Sequence, residues 1–291
     1  MNIPQYPEFT PIDWNMRPDL HPRLVLLEDG ISELTFADLY LFRRKYGYRL
    51  SLLPENRILI SGSEDGRKFF MLPCGICGFE LLEELFSTHD YMKNLSEASV
   101  QRHRIDLERA GYIVEEDRNN FDYLYLRRDL AHLPGKKLHK KRNLVNAFIN
   151  SYSYSEHRID DANRSDVMHV LEKWVEGRED RADYDAAKEA VEKMQDLGLR
   201  GGLTYVDDVP AAYSLGEPLA KGRAFAVHFE KALGGYKGIY QFINRSFASM
   251  LPRHYVHINR EQDLGDPGMR QAKMSYRPSG FVKKYVVRPS H

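Results

Sequence analysis

A change of hydrophobic period between residues 223 and 250 constrains the fold more than any other feature. In Arg223 to Phe229, the residues Phe225, Val227 and Phe229 alternate, the period of two that a half-buried strand requires. Gly234-Gly235-Tyr236-Lys237-Gly238 interrupts the run, and Ile239, Tyr240, Ile243, Phe247 and Met250 then recur at helical spacing. A second apolar strand, Tyr255 to Ile258, follows. Strand, glycine loop, helix and strand in this order describe one unit of an open sheet with helices packed on it.

The elements around this unit extend the pattern. Val167, Val170, Leu171, Trp174 and Val175 form an amphipathic helical stripe, with Asp161, Asn163 and Ser165 as N-cap candidates. A second helix carries Tyr184, Ala187, Val191, Met194 and Leu197 and ends at Gly198. Gly202 to Val206 and Val209 to Leu215 read as a hairpin across Asp207-Asp208, and Phe281 to Val287 as a last strand. The first part of the chain is a looser version of the same order. A helix from Ser32 or Thr35 precedes strands at Tyr48 to Leu53, Arg57 to Ser61 and Lys68 to Leu72. Helices near Phe79 to Phe86 and Glu97 to Ala110 follow, then strands at Tyr112 to Glu115 and Phe121 to Leu126.

The expected fold is therefore α+β, with two tandem lobes, each a mixed, mostly antiparallel sheet flanked by helices. The expected boundaries are 1–134 for the first lobe, 135–150 for a connecting basic helix and 151–291 for the second lobe. A length of 291 residues suits two domains of roughly 150 each. The 42 Lys and Arg balance 42 Asp and Glu, so bulk charge supplies no attraction to nucleic acid or membrane. No apolar run approaches the ~18 residues of a membrane span, and the N-terminus lacks a signal-peptide pattern, so a cytoplasmic protein is expected. Cys74 and Cys77 form a C-x-x-C pair that reads as a packed turn, with a redox couple or half a zinc site as alternatives. No second cysteine pair completes a zinc site, and no metal is expected.

Four segments can carry chemistry. The loop Lys231 to Gly238, with Gly234, Gly235 and Gly238, offers backbone N–H groups at a helix start to an anion, or makes a tight turn. His228, Glu230 and Lys231 stand at the exit of the preceding strand, and Asn259 follows the strand Tyr255 to Ile258. Asn259 to Pro278 is richest in polar groups. In it Asp266 can N-cap a short helix with Pro267 at its first position, and Arg270 and Lys273 then share one face. Asp263 and Glu261 lie on the loop before that helix. The segment is either a salt-bridged turn or a site in which a carboxylate takes a proton while Arg270 and Lys273 hold anionic groups. Lys136 to Arg142 is either a solvated basic face or a contact for phosphates, with Lys136 and Lys137 leading.

Taken together, Tyr123-Leu124-Tyr125-Leu126 with Leu133-Pro134-Gly135-Lys136-Lys137, His228-Phe229-Glu230-Lys231-Ala232, and Asn259 to Gly265 with Gly268 to Pro278 resemble one bacterial family. That family is allied to the C-terminal domain of phosphatidylglycerol lysyltransferase and is described as a tandem GNAT-like acyltransferase fold. It is similar to the aminoacyl-tRNA-dependent transferases that lengthen peptidoglycan bridges or modify lipid head groups. The resemblance implies acyl or aminoacyl transfer from aminoacyl-tRNA or acyl-CoA to an amine or hydroxyl. The acceptor would be a small molecule or an envelope precursor, and tRNA would lie along 136–142. Asp263 or Glu230 would act on the acceptor, with Arg270 and Lys273 neutralising charge. His228, Lys231, Gly234, Gly235, Gly238, Asn259, Glu261, Ser275, Tyr276, Lys136 and Lys137 would bind substrate. Lys231-Ala232-Leu233-Gly234-Gly235-Tyr236 matches the acetyl-CoA loop of GNAT enzymes only in part. A catalytically silent ligand- or tRNA-binding protein and an acetyl-CoA-dependent N-acetyltransferase are the alternatives.

Overall fold

Two seven-stranded mixed sheets, each flanked by helices, organise the computed structural model, which describes residues 3–177 and 183–290. In the first sheet β1 (Thr10–Pro11), β2 (Arg49–Leu53), β3 (Arg57–Glu64) and β4 (Arg67–Met71) pair antiparallel in turn. β5 (Tyr91–Ser96) lies parallel to β4, and β6 (Tyr112–Glu116) forms the far edge. The second sheet takes β7 (Asp122–Leu126), β8 (Tyr154–Arg158), β9 (Arg200–Val206), β10 (Val209–Leu219), β11 (Ala224–Ala232), β12 (His257–Asn259) and β13 (Gly280–Val282). Its order is β8-β9-β10-β11-β12-β7-β13, with β11 and β12 parallel. β14 (Lys284–Pro289) returns to the first sheet, between β5 and β6.

The two sheets repeat one plan. Each has a run of antiparallel strands, one parallel pair, and then an antiparallel strand added beside that pair. In both sheets that added strand comes from the other half of the sequence. β7 follows β6 in the chain but pairs with β12, whereas β14 follows β13 but pairs with β5. The expected division at 134 and 151 therefore needs correction. One compact unit holds the chain up to Asp122 together with Gln262–Gly265 and Phe281 onward, and the other holds Tyr123–Glu261 and Asp266–Gly280. The expected single strand Phe281 to Val287 is likewise two strands, one in each sheet.

Charge specifies where β14 docks. Lys284 is fully buried and donates to Asp122 at 2.6 Å and to Glu33, while Ser32 donates to Asp122 through both its backbone N–H and its hydroxyl. Burial opposes charge on both Glu33 and Lys284. The ion pairs prevail: Lys284 holds the Glu33 carboxyl low, and Asp122 first, then Glu33, hold the Lys284 ammonium high. A buried lysine without such partners would be strongly destabilising, so only a register that delivers Lys284 to them is stable.

Local chemistry places most other elements where the sequence pattern puts them. Thr35 caps the helix Phe36–Leu41, Asp266 caps Pro267–Met274, and Gly198 ends Met194–Leu197 in the left-handed conformation. Asp207 and Asp208, with φ of 50° and 62°, turn the β9–β10 hairpin. β5 escapes a periodicity reading because every one of its residues is buried, including Lys93 and Asn94. Cys77 packs into the core of the first unit with Leu82, Leu85 and Val100. Burial pushes its thiol up, a setting for a packed turn and not for a reactive thiolate.

Candidate functional site

β11 and β12 pair at only three positions, Ala224 with His257, Phe225 with Ile258 and Ala226 with Asn259. β11 then runs on to Ala232, while the chain leaves β12 at Arg260. The second unit's sheet thus opens at the C-terminal ends of its parallel strands, the place where open α/β sheets receive ligands. A bulge sharpens the opening. Leu215 faces Phe229 but the next residue, Gly216, faces Val227, so His228 is an extra residue in β11. A Cβ at position 216 would lie 1.8 Å from the Ala226 carbonyl oxygen, so the bulge requires glycine there.

The bulged His228 has a side chain only 1 % exposed, and both of its ring nitrogens meet carboxylates. Nε2 is 3.0 Å from Glu217 and Nδ1 is 2.6 Å from Glu261. Burial disfavours the imidazolium, but the Glu261 and Glu217 carboxylates outweigh it and raise the pKa well above the ordinary histidine value. With a carboxylate on each nitrogen, the ring carries both protons. Glu261 itself is held in a left-handed conformation, φ 55°. Its N–H donates to the Asn259 side chain at 2.8 Å, and its carbonyl accepts from Tyr123 N–H and from Lys273 Nζ. Lys273 Nζ also reaches the Arg260 carbonyl at 2.7 Å, and the Lys273 carbonyl accepts from the Tyr125 hydroxyl.

Two residues beyond the bulge, Glu230 pairs with Arg260 at 2.8 Å. Asn244, on the helix Ile239–Met250, turns its amide oxygen to the same guanidinium, 3.0 Å from Nη1 and 3.2 Å from Nε. The Arg260 guanidinium also packs 5.2 Å from the centre of the Tyr276 ring. Burial and the Glu230 carboxylate push the Tyr276 phenol up to about 12, although Arg260 opposes this and Gln241 donates to the hydroxyl. Lys141 of the helix His139–Ser151 sits 4.3 Å from the centre of the same ring.

The structure therefore gathers His228, Glu230, Asn259, Glu261, Lys273 and Tyr276 at the opening of the second sheet. Arg260 and Lys141 belong to that group as well, and sequence spacing did not single them out. Arg260 immediately follows the β12 residues, a signal available from the strand end alone; Lys141 was hidden within a run of like charges. Other expected residues stand elsewhere or are engaged. Asp263 belongs to the first unit, is completely buried, and accepts from Arg118 and from Gly265 N–H. That geometry fits a locked turn better than a proton acceptor. Arg270 is half-buried on the helix Pro267–Met274, and the Ser275 hydroxyl bonds back to the Ala272 carbonyl. Lys231 points to the opposite face of β11, where it pairs with Asp183 and stands 3.7 Å from the Trp174 ring centre.

The glycine loop serves packing at one end. A Cβ on Gly238 would lie 2.2 Å from the Leu144 carbonyl oxygen, so the helices His139–Ser151 and Ile239–Met250 approach closely there. Phe148 and Phe242 stack between them, 4.4 Å apart. Lys237 N–H donates to the Tyr152 hydroxyl and Ile239 N–H to the Tyr236 carbonyl, which leaves fewer donors for an anion. Gly234 and Gly235 have open space around them. The expected basic helix begins only at His139. Lys136 and Lys137 occupy the exposed turn before it, where Arg142 holds the carbonyls of Leu133 and Gly135.

The profile of the family described as phosphatidylglycerol lysyltransferase, C-terminal, matches residues 24–288. The chain belongs to this family. A protein of unknown function from Bacteroides thetaiotaomicron has a solved structure similar to this one, with 29 % identity and a TM-score of 0.83. The match covers 97 % of this chain and 99 % of that one. The C-terminal domain of a putative lysylphosphatidylglycerol synthetase from Agrobacterium fabrum shares the fold at 13 % identity and a TM-score of 0.63, over 96 % of this chain and 93 % of that one. An uncharacterised protein of Mycoplasmoides gallisepticum is 28 % identical over 188 residues, 60 % of this chain. The chain spans 58 % of the length of that curated relative. Among the described residues, no helix is long and apolar enough to cross a membrane.

Proposed function

We propose that this family member transfers an aminoacyl group from a charged tRNA to an amine or hydroxyl acceptor at the opening between β11 and β12. The observation that carries the reading is the junction itself, where a parallel pair separates beside a carboxylate, Glu230, that is paired with Arg260, whose backbone carbonyl holds Lys273 and whose guanidinium shares the Tyr276 ring with Lys141. In this reading the acceptor adds to the ester carbonyl of the donor, the new amide or ester bond forms, and the bond to the terminal ribose oxygen breaks. The acceptor's proton passes by way of Glu230 to that ribose hydroxyl. Because the ester is already activated, holding the two reactants in register supplies much of the rate. Exposed Lys136 and Lys137 then serve the phosphates of the tRNA acceptor stem. The acceptor is a small molecule or an envelope precursor, and the work is cytoplasmic.

Membership of a lysyltransferase family favours aminoacyl over acetyl transfer, and the engaged N–H groups at Lys237 and Ile239 give coenzyme A less to hold. One observation favours a silent ligand-binding protein instead: Glu230 is locked to Arg260, and His228 to two carboxylates. Filter binding and transfer assays with tRNAs carrying radiolabelled amino acids separate these readings. We expect charged tRNA to bind with a steep salt dependence. Label should move to an amine or hydroxyl in a small-molecule extract, and Glu230→Gln should stop transfer while leaving tRNA bound. Binding without transfer under every acceptor condition supports the silent protein. Coenzyme A binding without tRNA binding returns the acetyltransferase.

A further inference from the structure

The helix His139–Ser151 brings Lys141 into the second unit's opening with its donors unspent. The ammonium lies 4.3 Å from the centre of the Tyr276 ring, and Arg260 lies 5.2 Å from the same ring. Arg260 has its own counter-charge in Glu230 and a further acceptor in the Asn244 amide oxygen. Lys141 is half-buried, and among the described residues neither a carboxylate nor a carbonyl takes its charge or its three N–H groups. A desolvated ammonium set beside a guanidinium is an unfavourable arrangement unless something anionic completes it. Lys140 and Lys136, by contrast, are exposed and solvated.

We infer that Lys141 and Arg260, seated on the Tyr276 ring, form a binding subsite for a phosphoryl group. The inference rests on the proposed aminoacyl transfer only for the source of that group. In an aminoacyl ester the amino acid's carboxyl is consumed by the ester bond, so the donor's own anionic groups are its phosphates. Lys141 is the primary ligand, because Arg260's donors are largely taken. Burial, and after it the positive charge of Arg260, draw the Lys141 ammonium below the ordinary lysine range. An oxyanion in the subsite reverses both effects, since it replaces lost hydration and opposes the guanidinium's repulsion.

The test is competitive acetylation of the full chain with a limiting amine-reactive acetyl ester, read lysine by lysine by mass spectrometry. Inorganic pyrophosphate and adenosine monophosphate are the probes, and sodium acetate at matched ionic strength is the control. Lys141 should be protected by both phosphates and not by acetate, while Lys136, Lys137 and Lys140 label equally throughout. Lys141→Met keeps an unbranched apolar stem on Tyr276 and should retain the wild-type melting temperature. It should weaken pyrophosphate binding by roughly tenfold to a hundredfold, the loss of one charge-assisted contact, and Lys141→Arg should restore most of it. Equal labelling with and without phosphate, or undiminished pyrophosphate binding by Lys141→Met, overturns the subsite. Protection by acetate as strong as by phosphate also overturns it. Protection without aminoacyl transfer leaves the subsite standing and removes the proposed reaction, so the two failures are distinguishable.

Discussion

Replacing the three loop glycines one at a time by alanine should produce a graded loss of stability that follows the space around each. At Gly234 an added Cβ meets nothing within 4 Å and the backbone does not occupy the left-handed region. Gly234→Ala should therefore lie within about 0.5 kcal/mol of wild type, as expected of a surface substitution without a specific mechanism. Gly235 also has open space but sits at φ 93°, so Gly235→Ala bears backbone strain of about 1–3 kcal/mol. Gly238 combines φ 86° with a Cβ position 2.2 Å from the Leu144 carbonyl oxygen. Real Cβ contacts stay beyond 3.0 Å, so the two helices must part by at least about 0.8 Å, adding an overpacking cost of about 1–3 kcal/mol. Gly238→Ala should then lose about 2–6 kcal/mol in all, with loosened Phe148–Phe242 stacking as its local signature. Urea unfolding followed by circular dichroism measures the series, and near-ultraviolet ellipticity reports the stacking. Equal effects at all three positions, or a neutral Gly238→Ala, would refute the packing argument.

Two further outcomes test the buried charges. His228 has its native pKa raised, so its ion pairs contribute fully below the unfolded value of about 6.5. That contribution is lost as pH rises from there through the raised native value, at up to about 1.4 kcal/mol per pH unit. Unfolding free energies of wild type and His228→Gln should therefore converge towards alkaline pH, and parallel curves would refute the imidazolium. Asp263→Asn should lower unfolding free energy by about 1–3 kcal/mol, because it weakens a buried charge-assisted pair with Arg118. An unchanged melting temperature with lost activity would return Asp263 to the reacting group.

The glycine series also illustrates how much of the site was legible from sequence. The spacing of Phe225, Val227 and Phe229 against Ile239, Ile243 and Phe247 is enough to mark a strand, a loop and a helix, and the structure has all three. It also marks Asn259 as a strand end, but His228 and Glu230 lie within β11, which runs on to Ala232 because its pairing with β10 sets its length. The cap at Asp266 was legible because a cap acts over a few positions. Which of Gly234, Gly235 and Gly238 carries a packing duty was not legible, because the clash that decides it comes from Leu144, almost a hundred residues earlier. Asp263 and Lys273 looked alike as charged groups in one motif. Their partners separate them: Arg118 claims the first, and the carbonyls of Arg260 and Glu261 claim the second.

By itself the sequence determined most of the elements, their order and the family, since periodicity, caps and turn residues act over a few positions and a motif is read along the chain. The fully buried β5 and the split of the last strand into β13 and β14 lay outside it. Tertiary structure alone decided the exchange of β7 and β14 between sheets, the bulge that turns His228 onto two carboxylates, and the meeting of Lys141 with Arg260 on Tyr276. Each of these brings together residues distant in the chain, and for β14 and His228 it sets a buried charge beside its counter-charge. The energy of a buried ion is set by what surrounds it in space, and sequence separation carries no information about that distance.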